Sequence, residues 1–347
     1  MRSRHPVMLA SVVLPLLGAC GTYRSVRVPM LRPAEINLSA YPSLGVTNLG
    51  GDQGDEVSSL IEEKLVESGR FQVVDRTHMN QVMNELRLSA SDLAQGNNAV
   101  KLGGLVTAGA LVSGAVDVRY RELPRSRSWR DKSGADHTEH WQDGEAHVRA
   151  NLKLIDVSTG KLLLARSFEA KEESRGALVS GGGGNFGMAL LGALAEAAGP
   201  INHTPPDRLK LEREAKVKVV GAFVNAVAPR KEQVEVRFAT DGKLPQLEAG
   251  IGWAQRGEWK KAQDSFNDAV HAAENDPRID SKVLAKGYLN CGLAHVLGGD
   301  HQGGIKLLGK AYDLSADPYV LDQIDFAKHL EDDARKLGEQ TASSADR

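Results

Sequence analysis

Cysteine is nearly missing from this chain: 347 residues hold two, Cys20 and Cys291. Cys20 closes a leader-type stretch, so the folded part has no intrachain disulfide available, even in an oxidising compartment. An excess of either charge is missing too. Lys and Arg number 43 against 45 Asp and Glu, a net charge of −2, so no global basic field argues for nucleic acid. Past the leader no stretch reaches the ~18 apolar residues that a membrane-spanning helix requires. Catalytic sets are lacking as well, since no nucleophile stands beside a base in a recognisable motif; the reading is of a protein that is not an enzyme.

Two motifs invite chemistry and fall short of it. His137, His140 and His147, with Asp136 and Glu145, suggest a metal. The HTEH wording differs from the helical H-E-x-x-H arrangement, and ligands three apart on a strand or loop need not converge. These are read as solvated histidines, and no metal is expected. GGGGNFG at 181–187 matches a dinucleotide fingerprint letter by letter. It sits late in the chain and lacks the Lys-Ser/Thr of a P-loop, so it is read as a loop feeding a small-residue helix over 188–198, without a cofactor.

What is present begins at the N-terminus. Arg2 and Arg4 precede an apolar run over 7–17, and Leu17-Gly18-Ala19-Cys20 forms a small-residue cleavage site ending in cysteine. This reads as a secretory signal over 1–19 of the lipoprotein variety, with Cys20 as the lipidated residue. Such a lipid anchors a soluble domain without any spanning helix. Gly21 stands where an Asp would suggest inner-membrane retention, so the expected location is the outer membrane, on its periplasmic face. The stretch 20–43, with Pro29, Pro33 and Pro42, reads as an extended tether.

The organising segment is 69–118. A β-branched run over 71–74 reads as a buried strand. Asp75 has the short acceptor side chain of an N-cap, and Met79, Val82, Met83 and Leu86 then place one apolar face on a helix. Leu102, Leu105 and Val106 mark a shorter helix, and 110–118 a second strand with Gly114 where something approaches closely. Upstream, 44–49 reads as a first strand and Val57, Leu60, Ile61 and Leu65 as an amphipathic helix.

The wording VVDR, then NELRLSASDL, then KLGGLVTAGALVSGAV resembles the family of CsgG, the outer-membrane lipoprotein through which curli subunits are secreted. It is similar, more loosely, to envelope lipoproteins such as LpoB, which stimulates a peptidoglycan synthase. The resemblance implies a CsgG-like α/β sandwich over 44–229, and for function it suggests either a secretion channel or a synthase activator.

Residues 119–144 break the pattern. Arg119, Arg121, Arg125, Arg127, Arg130 and Lys132 make the first half basic, and Asp136, Glu139, Asp143 and Glu145 make the second acidic. Folded back as a hairpin, the halves pair by charge. Strands of a membrane barrel need ~9–11 residues alternating apolar and polar, which this stretch does not provide. Val148, Ala150, Leu152 and Leu154 then alternate with polar residues as a half-buried strand, DVSTG makes a turn, and 162–168 returns antiparallel.

After a polar linker at 230–243 the period changes. Ala262, Phe266 and Ala269 recur 42 residues on as Gly304, Leu308 and Ala311. The small–large–small spacing resembles tetratricopeptide repeats over 244–337, closed by a capping helix, with the second copy weakened where Gly304 replaces the packing alanine. Residues 338–347 read as a disordered tail. The fold expected is thus α+β, an α/β sandwich followed by an all-α helical domain. The function expected is a periplasm-facing lipoprotein that recruits a protein partner in envelope assembly or secretion, with homo-oligomers as part of that expectation. The partner-binding residues are not legible.

Overall fold

The computed structural model describes residues 23–85, 108–174 and 206–342. In chain order the elements are β1 (Tyr23–Arg32), β2 (Ser43–Val46), β3 (Gly50–Gly51), α1 (Gly54–Glu67), β4 (Gln72–Val74), α2 (Arg76–Glu85), β5 (Ala110–Arg130), β6 (Asp136–Asp156), β7 (Leu162–Ser174) and α3 (Arg208–Val227). They continue as β8 (Arg230–Ala239), α4 (Gln246–Ala254), α5 (Trp259–Asn275), α6 (Ser281–Leu297), α7 (His301–Ser315) and α8 (Pro318–Ala342). The chain divides into two compact units, one of residues 31–230 with 336–347, the other of 1–30 with 231–335.

The first unit is a mixed sheet in the order β4-β2-β5-β6-β7, with β3 beside β5. β2 runs parallel to β4 and β5, whereas β5, β6 and β7 are successive antiparallel neighbours. Alternation decides the faces. Val112, Val116, Val148, Ala150, Leu152, Leu154 and Phe168 form one face, buried beneath Val57, Ile61 and Leu65 of α1 and Val219, Val220 and Phe223 of α3. Phe168 meets Phe223 edge-on at 5.7 Å. On the opposite face Leu111 and Ile155 pack with Met79 of α2. Gly114, expected to permit a close approach, has φ +153°, and an added Cβ would lie 2.0 Å from the Asn151 carbonyl oxygen on β6. The DVSTG turn is built on Asp156, which accepts from the Ser158 and Thr159 backbone N–H groups and from the Ser158 hydroxyl. Burial opposes its charge, yet these bonds and the Tyr41 hydroxyl bring the carboxyl down to about 2.

The second unit pairs β1 with β8 and packs that ribbon into the core of the helices. Val26, Val28, Val236 and Phe238 are all buried. Phe238 stacks on Phe266 at 5.7 Å. Asn290, fully buried, both donates to and accepts from the Ala239 backbone at 2.8 Å, tying α6 to the end of β8. Two of these helices start on aspartates: Asp280 caps α6 through the Val283 N–H and Asp300 caps α7 through the Gly303 N–H.

Four sequence expectations change here. The tether 20–43 is in part strand β1, because Val26 and Val28 alternate inward and find apolar partners. The linker 230–243 is mostly strand β8, for the same period-2 reason at Val234, Val236 and Phe238. The tail begins inside α8, which extends to Ala342, and Gln340 both accepts from and donates to the Ala34 backbone. Gly304 is no weakened copy of an alanine. It lies against Gly292 where α6 and α7 come closest, and an added Cβ there would stand 2.7 Å from the Gly292 carbonyl oxygen.

Candidate functional site

The segment that broke the sequence pattern forms an arm. β5 and β6 pair without interruption from Ala110↔Asp156 to Arg130↔Asp136. The paired neighbours of β5 on its other side, β2 and β3, reach only to Val116. Among the described residues, the stretch of β5 beyond Val118 is therefore paired only with β6. Its charges interlock as the sequence implied. Arg121 meets Glu145 at 2.6 Å, Arg125 meets Asp143 at 3.1 Å, and Arg130 meets Asp136 at 2.8 Å. Exposed pairs such as Arg130–Asp136 are screened by water and contribute little. Glu145 differs, for its side chain is 6% exposed and holds both Lys171 and Arg121. The Lys171 bond, against desolvation and with Arg121, keeps its carboxyl below the usual range.

At the tip Asp131 accepts from the Ser133 hydroxyl, the Ala135 N–H and His137, and Trp129 stacks on the His137 ring at 5.5 Å. The Ser133 hydroxyl first, then His137, hold the Asp131 carboxyl well below its ordinary value. The sequence histidines do not converge: His137 is engaged at the tip, whereas His147 faces Glu169 at 3.4 Å, ten residues along the strand. That is roughly 33 Å of strand at ~3.3 Å per residue. The side chain of His140 lies outside the described residues. Among those described, no group of His, Cys, Asp and Glu is arranged to hold a metal ion.

The base of the arm rests on a polar network that sequence reasoning missed. Arg208 lies over the Tyr120 ring at 5.3 Å and pairs with Glu212 at 2.7 Å. Gln53 donates to Glu212, while Lys216, 4% exposed, donates to Gln53 and to Glu56 at 2.5 Å each. The available signal was the i, i+4 spacing of Arg208, Glu212 and Lys216 beside the apolar face of α3.

In the helical unit a cleft of about 670 Å³ opens between α6, the α7–α8 turn, the segment after β8 and the first residue of β1. Val283, Leu289 and Val320 form its apolar floor. On its rim Lys286 pairs with Asp241 at 2.7 Å and Lys243 approaches Asp280 at 3.6 Å. Tyr23 donates to Asp317, and burial, with Asp317 beside it, pushes the phenol up to about 12. The Lys282 backbone N–H reaches Asp280, and among the described residues its ammonium has no ion pair.

Cys291 is fully buried, its Sγ donating to Asn267, and burial pushes the thiol up to about 12, so it is no nucleophile at neutral pH. Cys20, the glycine-rich 181–187, the helix expected over 188–198 and the helix around Leu102 lie outside the described residues. No described helix is long and apolar enough to cross a membrane.

Residues 28–205, just over half of the chain, match the family described as curli production assembly/transport component CsgG. No curated protein matches the chain. Among solved structures, the lipoprotein GNA1162 of Neisseria meningitidis is 15% identical, covering 45% of this chain and 97% of its own, with a TM-score of 0.26. The LpoB C-terminal domain of Salmonella enterica is 14% identical over 38% of this chain and 83% of its own, at 0.24. The hypothetical protein CT253 of Chlamydia trachomatis is 12% identical over 53% and 95%, also at 0.24.

Proposed function

The chain belongs to the CsgG family, and from that premise we propose that it is a non-enzymatic lipoprotein of the cell envelope that recruits a protein partner. Cys20 carries the lipid, the outer membrane is its location and the periplasm the compartment it faces. The observation that carries the reading is the helical unit. It stands largely outside the family-matched residues, has its own core, and packs α4 to α7 against one another in sequence order, which supports reading it as tetratricopeptide-like repeats. Repeats of that kind present side chains of successive helices on one surface, which suits binding over catalysis. Purification of the lipidated protein from membranes, with photo-cross-linking residues placed on the helices, tests this. Cross-links from α4–α8 to one partner protein are expected; a partner joined only through residues 31–230 would overturn it.

The family description favours a second reading, a subunit of a secretion channel. β5 and β6 have 21 residues each, beyond the ~9–11 a barrel strand needs. Against it stands the pattern past Val118. One face of β5 presents Arg119, Arg121, Arg125 and Arg127, and the other Glu122, Ser126, Ser128 and Arg130. Neither is apolar, and an Arg facing lipid near the midplane costs ~2–4 kcal/mol. Stable single-channel currents from the reconstituted protein would promote this reading over recruitment.

A further inference from the structure

The first described residue, Tyr23, is three positions after Cys20. A fully extended chain spans at most ~3.6 Å per residue, so Tyr23 lies within roughly 11 Å of an acylated Cys20. Tyr23 does not begin a loose tether. It opens β1, whose Val26 and Val28 are buried in the helical core at 3% and 5% exposure and whose Arg24 pairs with Glu248 at 2.7 Å. Any anchor on Cys20 therefore holds the helical unit itself, through a strand built into its core.

The surface around that attachment point has the composition of a membrane interface. Tyr23, 41% exposed, meets Tyr319 edge-on at 5.2 Å, and the Arg237 guanidinium lies over both rings, at 5.6 and 4.5 Å. Lys243, Lys282 and Lys286 line the same cleft as Tyr23. The carboxylates there are already engaged: Asp241 by Lys286, Asp280 by the Val283 N–H, and Asp317 by the Tyr23 hydroxyl and the Tyr319 N–H. Tyrosines with an apolar ring and a polar tip suit the headgroup level, and cations near an anionic leaflet are drawn to it.

We propose that this face of the helical unit, formed by Tyr23, Tyr319, Arg237, Lys243 and Lys282, lies against the membrane and contacts the phosphates of anionic lipid headgroups. The inference rests on acylation of Cys20. It leaves the opposite surfaces of the helices for a protein partner.

The test uses the full, lipidated protein in vesicles containing phosphatidylglycerol and a headgroup nitroxide lipid, with a fluorescent amino acid in place of Lys243. Strong quenching is expected. Inserting about twenty Gly/Ser residues between Gly21 and Thr22 gives a tether of roughly 25 Å root-mean-square length. In that form quenching should persist, and Arg237→Glu with Lys282→Glu should then lower it at least twofold. Absence of quenching while mass spectrometry shows the acyl chains on Cys20 would overturn the proposal, as would quenching in the lengthened form that ignores both charge reversals. Absence of the acyl mass would instead overturn the anchor reading, and a maleimide-linked lipid on Cys20 then carries the same measurement.

Discussion

Replacing Gly304 by alanine tests the close approach of α6 and α7 in the second unit. In isolation this change favours a helix, since Gly is ~0.8–1.0 kcal/mol worse than Ala in a helix interior. Position 304 reverses the sign. The new Cβ would stand 2.4 Å from Val296 Cγ2, 2.7 Å from the Gly292 carbonyl oxygen and 2.9 Å from the Val296 backbone nitrogen. Two of these three atoms are backbone, so no rotamer change relieves the contact. α6 and α7 must separate, loosening Leu308, which is fully buried beside Gly292. Overpacking of this kind costs ~1–3 kcal/mol, and subtracting the propensity gain leaves a net loss of up to about 2 kcal/mol. Gly309, in the same helix, provides the control, because nothing lies within 4 Å of a Cβ built there. Gly309→Ala should stabilise by ~0.5–1 kcal/mol. Urea titrations followed by the helical circular-dichroism signal compare the two. The midpoint should fall for Gly304→Ala and rise for Gly309→Ala, with the slope unchanged. If both midpoints rise together, the two helices do not approach at Gly292 and Gly304 as described.

Three further outcomes are expected. Asp156 has its carboxyl lowered from 3.8 to about 2; a depressed folded-state value adds stability above the unfolded value that is lost as pH falls through the folded one. Stability of the native protein should therefore drop between pH 4 and 2 more steeply than that of Asp156→Asn, and parallel acid titrations of the two would contradict this. Val28→Ala should destabilise the helical unit, by about 1.5–3 kcal/mol if the buried side chain contributes as usual, seen as faster hydrogen exchange in α4–α7; unchanged protection would detach β1 from that core. Cys20→Ala should abolish acyl labelling, and persistent labelling would remove the anchor assignment.

Much of the first unit was legible because its signals are local. The apolar spacing of Val57, Ile61 and Leu65 determines a helix face, and Val148, Ala150, Leu152 and Leu154 determine a strand, whatever lies around them. The opposed charge blocks of 119–144 likewise implied a hairpin, since its two halves are adjacent in sequence and need no distant partner. The same locality explains the misreadings. Val26 and Val28, and Val236 and Phe238, carry the period-2 signal in runs too short to stand alone, and their partners lie some two hundred residues apart in the chain. A strand needs a neighbour to satisfy its backbone groups, so only the folded chain decides that β1 and β8 supply each other. Gly304 read as a weakened copy because the repeat pattern puts a packing alanine there, whereas its value is set by Gly292 across the contact. Glu212 and Lys216 read as solvated for a related reason: only tertiary packing buries them, with Arg208, Gln53 and Glu56 as their partners. Sequence by itself determined the locally patterned elements and their inward faces; tertiary structure decided β1, β8 and which distant elements meet, because that choice depends on shape and pairing between segments that the chain order keeps apart.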